Sequence, residues 1–418
     1  MKFLLIFLSF ILAANCSEGY KNYKLYDVVP NETQYDALAA WEYIDGVDFF
    51  RLTSPNRSSK VLIAPKIQND FESFLTRNNI VYSILSEDFD VEIEKERESM
   101  METRKMKTGY SIEGTADFSV YWSFAEMDRY LQDLAARYPH RITLENLIFS
   151  PEGRHVWAVK ISSGVFGQKP IIGMETGMHA REWAAPPTSF YLIDKLVTDE
   201  AIAAELLARV DWLIVPMQNP DGYEWSRTPN NRLWRQNRRQ ITPTCTGADL
   251  NRNFAYSWRA ATVACGNLTY PGPFALSEPE DFVLHEVMER YRQNLRMYLS
   301  VHTFGDLVLF PWGYSDNPGP LPLNNVEEHI HVGNIFRDAI LAATGKDYFV
   351  VNSLNYFGNI NGAVDDNMLA AVGADLAYTL ELTDGFSFLY PEDRILALSE
   401  ETFVGYRALG RYIGETYG

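Results

Sequence analysis

The chain predicts an α/β protein in two parts. The larger carries a mixed or largely parallel sheet covered by helices on both faces, and the smaller is an N-terminal α+β unit. Three observations carry this prediction. Beyond about residue 118, apolar runs alternate with helix-like stretches; between about 20 and 90 the runs are shorter and separated by polar segments; and 91–107, dense in charges of both signs, divides the two patterns. Strand–helix alternation implies helices packed on both faces of a sheet, because parallel strands need a crossover that returns over it. A length of 418 residues has room for one large domain and a smaller one.

The chain opens "MKFLLIFLSFILAANCSEGY". Lys2 supplies a positive start, Phe3 to Leu12 is an apolar core, and Ala14 and Cys16 are placed for cleavage near Ser17. This reads as a secretory signal over residues 1–16. No other apolar stretch reaches the ~18 residues of a membrane span. A secreted, extracellular protein without a membrane partner is therefore expected. The short runs "YKLYDVV", "DFFRL", "SKVLIAP" and "IVYSIL" supply the strands of the small unit. "VEIEKERESMMETRKMK" reads as a solvated linking helix, its charges at helical spacing. It ends in "TRKMKTG", where Arg104, Lys105 and Lys107 offer bonds to a trypsin-like protease. Exposed connectors are where nicking concentrates. Residues 17–107 thus read as a propeptide and 108–418 as the domain it precedes. In that domain "HVWAVKIS", "KPIIGME", "VDWLIVPM", "RMYLSVH" and "LAYTLEL" are strands. "SFYLIDKLVTDEAIAAELLARV" and "SEPEDFVLHEVMERYRQNL" are helices.

A formal charge of −18 argues against a nucleic-acid partner, since phosphate binding needs a basic surface. Once the signal has taken Cys16 away, Cys245 and Cys265 remain, and an oxidising compartment favours their pairing. Asn31, Asn56 and Asn267 begin glycosylation sequons, in keeping with export.

The chemistry gathers at strand ends. His179, Arg181 and Glu182 follow "IIGMET", His302 closes "YLSVH", and Glu381 lies in "AYTLE". In open α/β sheets, ligands bind beyond the carboxyl ends of the strands, so these residues are candidates for one site. A buried His-x-x-Glu pair costs desolvation unless something compensates it, and a divalent metal would. His302 completes a His₂Glu set of the kind that holds catalytic zinc with one position left to water. A buried Glu381 beside it is placed for general-base work. Arg235 is a candidate oxyanion donor, Arg252 a carboxylate clamp and Asp249 a partner for a ligand histidine. Two rival pairs carry less. His285 and Glu289 in "HEVME" read as helix-surface neighbours. His329 and His331 lie two apart in an apparently exposed helix and do not face one another.

In order and separation, "GMHAREW", "NPDGYEWS", "NRLWRQNR", "GADLNRNF", "SVHTFGDLVLFPWGY" and "YTLELTDG" resemble the motifs of the secreted A/B-type zinc metallocarboxypeptidases, which are made as procarboxypeptidases. The likeness covers nearly all of 118–418, and residues 17–107 resemble the family's activation domain. It implies an α/β/α sandwich around a mixed eight-stranded sheet and one Zn2+ per chain. It also implies removal of a single amino acid from peptide or protein C-termini after trypsin-like activation, by a monomer such as those of the digestive lumen. Carried over by position, His179, Glu182 and His302 become zinc ligands, Glu381 the residue that activates water and Arg235 the oxyanion donor. Asn251 and Arg252 would hold the substrate's terminal carboxylate, Arg181 would line the approach, and Cys245–Cys265 would be the family disulfide.

The stretch "LNYFGNINGAVDDNM" departs from the family pattern. Tyr356 is the expected substrate clamp if the loop has gained two residues, and Asn367 stands where tryptophan is usual. If Asp366 matches the motif aspartate, Asp365 occupies the position that sets specificity and favours Lys or Arg. The alternatives are A-type specificity for aliphatic or aromatic residues, or a weak homologue that binds peptide ends. Thr383 and Phe304 replace the family's arginine and tyrosine.

Overall fold

The computed structural model describes residues 19–418, apart from 112, 261–262, 316–322 and 386. The signal assigned to 1–16 lies outside the described residues. The N-terminal unit runs β1 (Lys24–Val29), α1 (Tyr35–Ala39), β2 (Val47–Arg51), β3 (Ser59–Ile63), α2 (Gln68–Arg77), β4 (Val81–Ser86) and α3 (Phe89–Arg104). Its antiparallel sheet has the order β2-β3-β1-β4. Strand alternation splits its apolar residues between two jobs. Tyr26, Val28, Val61 and Ile63 pack under the helices with Phe71 and Leu75. Leu25, Phe50 and Leu62 face the other way and form a joint core with Phe89 and with Leu233, Phe304 and Phe388 of the larger domain. The small unit is thereby seated on its neighbour through apolar surface.

α3 differs from the solvated helix that its charges predict. Asp88 caps it by accepting from the Asp90 N–H. Phe89, Ile93, Glu96, Met100 and Arg104 recur at helical spacing and turn one stripe inward. Ile93 and Met100 pack on the core clusters, and Glu96 pairs with Arg232 at 2.5 Å, both side chains nearly buried. The remaining faces carry the exposed i,i+3 pairs Glu92–Lys95 and Glu94–Arg97.

The larger domain continues with α4 (Phe124–Arg137), β5 (Ile142–Phe149), β6 (His155–Ile161), β7 (Ile171–Thr176), α5 (Ala185–Thr198), α6 (Glu200–Leu206), β8 (Asp211–Val215) and α7 (Pro220–Ser226). Then come the short β9 (Gln240–Thr242) and β10 (Cys245–Thr246), α8 (Pro279–Arg290), β11 (Leu295–Thr303), β12 (Leu307–Phe310) and α9 (Val326–Thr344). It closes with β13 (Phe349–Asn352), α10 (Ser353–Phe357), α11 (Val364–Asn367), β14 (Leu376–Leu382) and α12 (Ile395–Tyr417). The stretch expected as one helix over 189–210 is two, because Asp199 stops α5 and caps α6 by accepting from the N–H groups of Ala201 and Ile202.

Eight strands form one mixed sheet in the order β13-β12-β14-β11-β7-β8-β6-β5. Its centre, β14-β11-β7-β8, is parallel. One face packs on α4, α5, α9 and α12, and the other on α8 and α11, giving the α/β/α sandwich. Gly173 on β7 lets α8 approach, since a Cβ there would meet the Met288 sulfur at 2.9 Å. Alternation sends Ile172, Met174, Leu299, Val301, Leu380 and Leu382 to the first face. It leaves Glu175, Ser300, His302 and Glu381 on the second. The polar chemistry therefore lies on one side of the sheet, toward the carboxyl ends of its parallel strands.

Candidate active site

Gly177, at φ 70°, turns the chain out of β7, and its missing side chain leaves room for Met217. The turn aims His179 and Glu182 at the end of β11, where His302 stands. His179 Nδ1 lies 2.8 Å from Glu182 Oε1, His302 Nδ1 is 2.9 Å from Glu182 Oε2, and the two Nδ1 atoms are 3.1 Å apart. All three residues are buried, and theirs is the one such group of potential metal ligands among the described residues. Donors at zinc distance in a tetrahedron stand roughly 3.3 Å apart, so this triangle needs only a slight opening to admit the ion. Nitrogen and carboxylate donors also suit zinc chemically. Each imidazole presents Nδ1 inward and anchors Nε2 outward: His179 Nε2 meets Asp249 Oδ1 at 3.1 Å, and His302 Nε2 meets Ser300 Oγ at 2.7 Å.

The three groups bias one another's protonation. Burial and then Arg235 depress the His179 imidazole. Burial also works against a charged His302, but Glu182 outweighs it and lifts that imidazole to about 9. Burial opposes the Glu182 carboxylate, which His179 and His302 hold below the usual range. Glu381 is pushed up to about 8 by burial and then by Glu182. A bound divalent ion would replace those protons and reverse much of this balance.

The triangle opens on a cavity of about 560 Å³ that Arg235, Asn251, Arg252 and Glu381 also line. Asp249 is the hub behind them. It is fully buried and receives Arg235 Nε at 3.0 Å and the Asn251 N–H at 3.0 Å, with Arg252 Nη1 4.0 Å away. Asn251 is fixed by accepting from the Val364 N–H at 2.9 Å. Cys245 and Cys265 are bonded, tying the nearby loop. His285 meets Asn367 instead of a metal-binding neighbour. His329, expected on an exposed helix, is buried beside β14, where its Nε2 accepts from the Ala377 N–H at 3.4 Å.

Of the expected substrate contacts, Arg181 lines the cavity but is already engaged, and Tyr356 and Asp365 stand elsewhere. Arg181 is 1% exposed and bonded to Asp48 of the small unit at 2.6 Å, between Phe388 and Phe50. Tyr356 does not line the cavity, and its assignment as the clamp is corrected. It lies in the last turn of α10, packed on Leu307 and Leu309 under the Arg57 guanidinium, while Phe357, Asn359, Ile360 and Asn361 line the wall. The packing of this short helix turns Tyr356 away from the cavity. Asp365 is buried beneath the cavity without opening on it. Its carboxyl accepts from the Asp366 N–H at 2.9 Å, and burial raises it above the usual range. Asp366 takes the N–H groups of Gly313 and Tyr314.

Sequence reasoning misses the cover. Glu42, Asp48, Phe50 and Arg51 of the small unit line the same cavity, and the Glu42 carbonyl accepts from Asn267 Nδ2 at 3.0 Å. No local pattern announces these partners. It misses Glu175 as well, although a glutamate inside the apolar run "IIGMET" is the same signal that singles out Glu381.

Comparison with known proteins agrees with this geometry. Residues 127–405 match the zinc carboxypeptidase family and 26–96 the carboxypeptidase activation peptide. The chain is 33% identical to carboxypeptidase B of Astacus astacus over 308 residues, 72% of this chain and 99% of that one. It is 30% identical to carboxypeptidase B of Helicoverpa zea along the full length of both. The crystal structure of carboxypeptidase A from Helicoverpa armigera superposes with a TM-score of 0.88 at 28% identity, covering 95% of this chain and 98% of that one. The chain belongs to the zinc carboxypeptidase family and is a zinc-dependent enzyme made with an activation peptide.

Proposed function

We propose that this is a secreted monomeric exopeptidase that releases one C-terminal residue at a time, with a preference for Lys or Arg. The observation that carries the reaction is the pairing of His302 with Glu381 on adjacent strands, beside the His179–Glu182 turn. His179, Glu182 and His302 would hold the zinc, which would supply a Lewis acid for the scissile carbonyl and for water. Glu381 takes the proton of the attacking water and delivers it to the leaving amine. Arg235, fixed by Asp249, donates to the oxyanion. Asn251 and Arg252 hold the terminal carboxylate, and Arg181 joins the approach once Asp48 has left.

Latency follows from the cover over the cavity, with residues 17–107 as the removable segment and 108–418 as the enzyme. Lys105 and Lys107 are exposed, whereas Arg104 is held by Glu126 and the Tyr121 carbonyl. A trypsin-like protease would therefore cut after Lys105 or Lys107.

The basic preference rests on Asp365, which has no Lys or Arg partner among the described residues and whose carboxyl burial raises. On this reading the cavity floor opens to admit a substrate cation as the counter-ion of Asp365. Its enclosure below the cavity favours the second reading, A-type specificity. Trypsin-treated protein assayed on blocked dipeptides ending in Arg or Phe, with and without chelator, tests both. Arg release lost on chelation is the expected result. Faster Phe release would select the second reading, and chelator-insensitive release would reject the mechanism.

A further inference from the structure

We propose that Glu175 is a positioning residue for the metal centre, acting through Ser300 on the second imidazole, His302. The inference rests on His302 being a zinc ligand. Glu175 and Ser300 are register partners on β7 and β11, and Ser300 and His302 share one face of β11. Ser300 Oγ donates to Glu175 Oε1 at 2.5 Å and lies 2.7 Å from His302 Nε2. Tyr298 donates its hydroxyl to Glu175 Oε2 at 2.5 Å. All four side chains are buried, and Glu175 has no Lys or Arg partner among the described residues.

The proton directions follow from valence. His302 Nδ1 faces the other donors, so for metal binding it must offer its lone pair, and the ring proton belongs on Nε2. Ser300 Oγ then accepts from Nε2. A hydroxyl has one proton, and here it must go to Glu175 Oε1. The Tyr298 proton fills the other oxygen. With Tyr298 and Ser300 both aimed at its oxygens, Glu175 is the residue at which this chain of hydrogen bonds ends and the one that favours its direction. His179 meets its carboxylate, Asp249, directly. For His302 a serine spans the gap to a carboxylate 4.0 Å away. A glutamate fully enclosed in an apolar sheet is costly, and holding this tautomer accounts for its presence.

The test uses the full-length chain and chelator-competition titration with zinc. His302→Ala serves as the control for the ligand assignment. Glu175→Gln and Ser300→Ala should each weaken zinc binding about 10–100-fold. The double variant should lose no more than Ser300→Ala alone, because the carboxylate acts through the hydroxyl. Visible absorption of the cobalt-substituted variants should shift from that of the parent, and KM at saturating zinc should stay near the parental value. Zinc affinity within twofold of the parent in both single variants, with only thermal stability reduced, would overturn the proposal. Additive losses in the double variant would do the same. If Glu175→Gln does not fold, Ser300→Ala decides alone, since it removes one oxygen, and unchanged affinity there refutes the relay. Zinc retained by His302→Ala would instead refute the ligand assignment itself.

Discussion

His302 and Glu381 are register partners on the neighbouring parallel strands β11 and β14. Two side chains at one register position on one face stand side by side, so the pairing places a candidate ligand and a candidate base next to each other without any loop to position them. Rigid strands hold such geometry better than loops do. Glu381→Gln keeps the shape and removes the base. The expected outcome is a 10²–10⁴-fold fall in kcat with zinc content unchanged, checked by steady-state kinetics and metal analysis on the same sample. Loss of the metal would make Glu381 a ligand instead.

Asp48 and Glu96 each neutralise a buried arginine across the domain boundary, Arg181 and Arg232 respectively. Removing one partner of a buried pair leaves a charge uncompensated, at a cost of about 3–5 kcal/mol. Asp48→Ala and Glu96→Ala should therefore loosen the small unit and raise peptide hydrolysis by the uncleaved chain several-fold. Hydrolysis equal to that of the parent zymogen would show that the apolar contact alone maintains the cover.

Specificity turns on Asp365. On the basic reading, Asp365→Asn should lower the ratio of Arg to Phe release about tenfold, because a cation reaching it through the cavity floor would lose its counter-ion. An unchanged ratio, measured as kcat/KM on paired substrates, would assign the aspartate to support of the loop.

Glu126 provides a pH test. Burial would raise its carboxyl, but the Ser123 N–H and Arg104 outweigh this and hold it at about 2, below the ordinary 4.5. A depressed carboxylate stabilises the fold above its unfolded value, and that stability is lost as pH falls through its folded one. Glu126→Gln should cost about 1–3 kcal/mol at neutral pH. The difference from the parent should shrink between pH 4.5 and about 2 in urea unfolding. A gap independent of pH would show that shape, rather than charge, is what the start of α4 needs, where Ser123 and Glu126 cap one another.

Apolar runs end where strands end, so His179, His302 and Glu381 could be read as converging residues before any coordinates. The two-layer cover of the sheet was legible for the same reason. Tyr356 misleads because the sequence does not tell which of two adjacent aromatic residues faces the cavity, and here Phe357 does. Asp48 and Glu96 are illegible because their partners lie more than 130 positions away. Glu175 hides in plain view, since one polar residue in an apolar run looks like many others until its strand neighbour is known. His329 misleads because the apolar face of α9 is defined by the sheet beneath it, which the helix alone does not reveal.

Metal analysis of the purified chain and of its His179→Ala and Glu182→Ala variants tests the shared site most directly. The expected result is one zinc per chain in the parent and less than about a tenth of that in either variant, with the variants still folded. A parent that purifies without zinc and takes up none on titration, or variants that keep it, would contradict the convergence of these side chains on one ion.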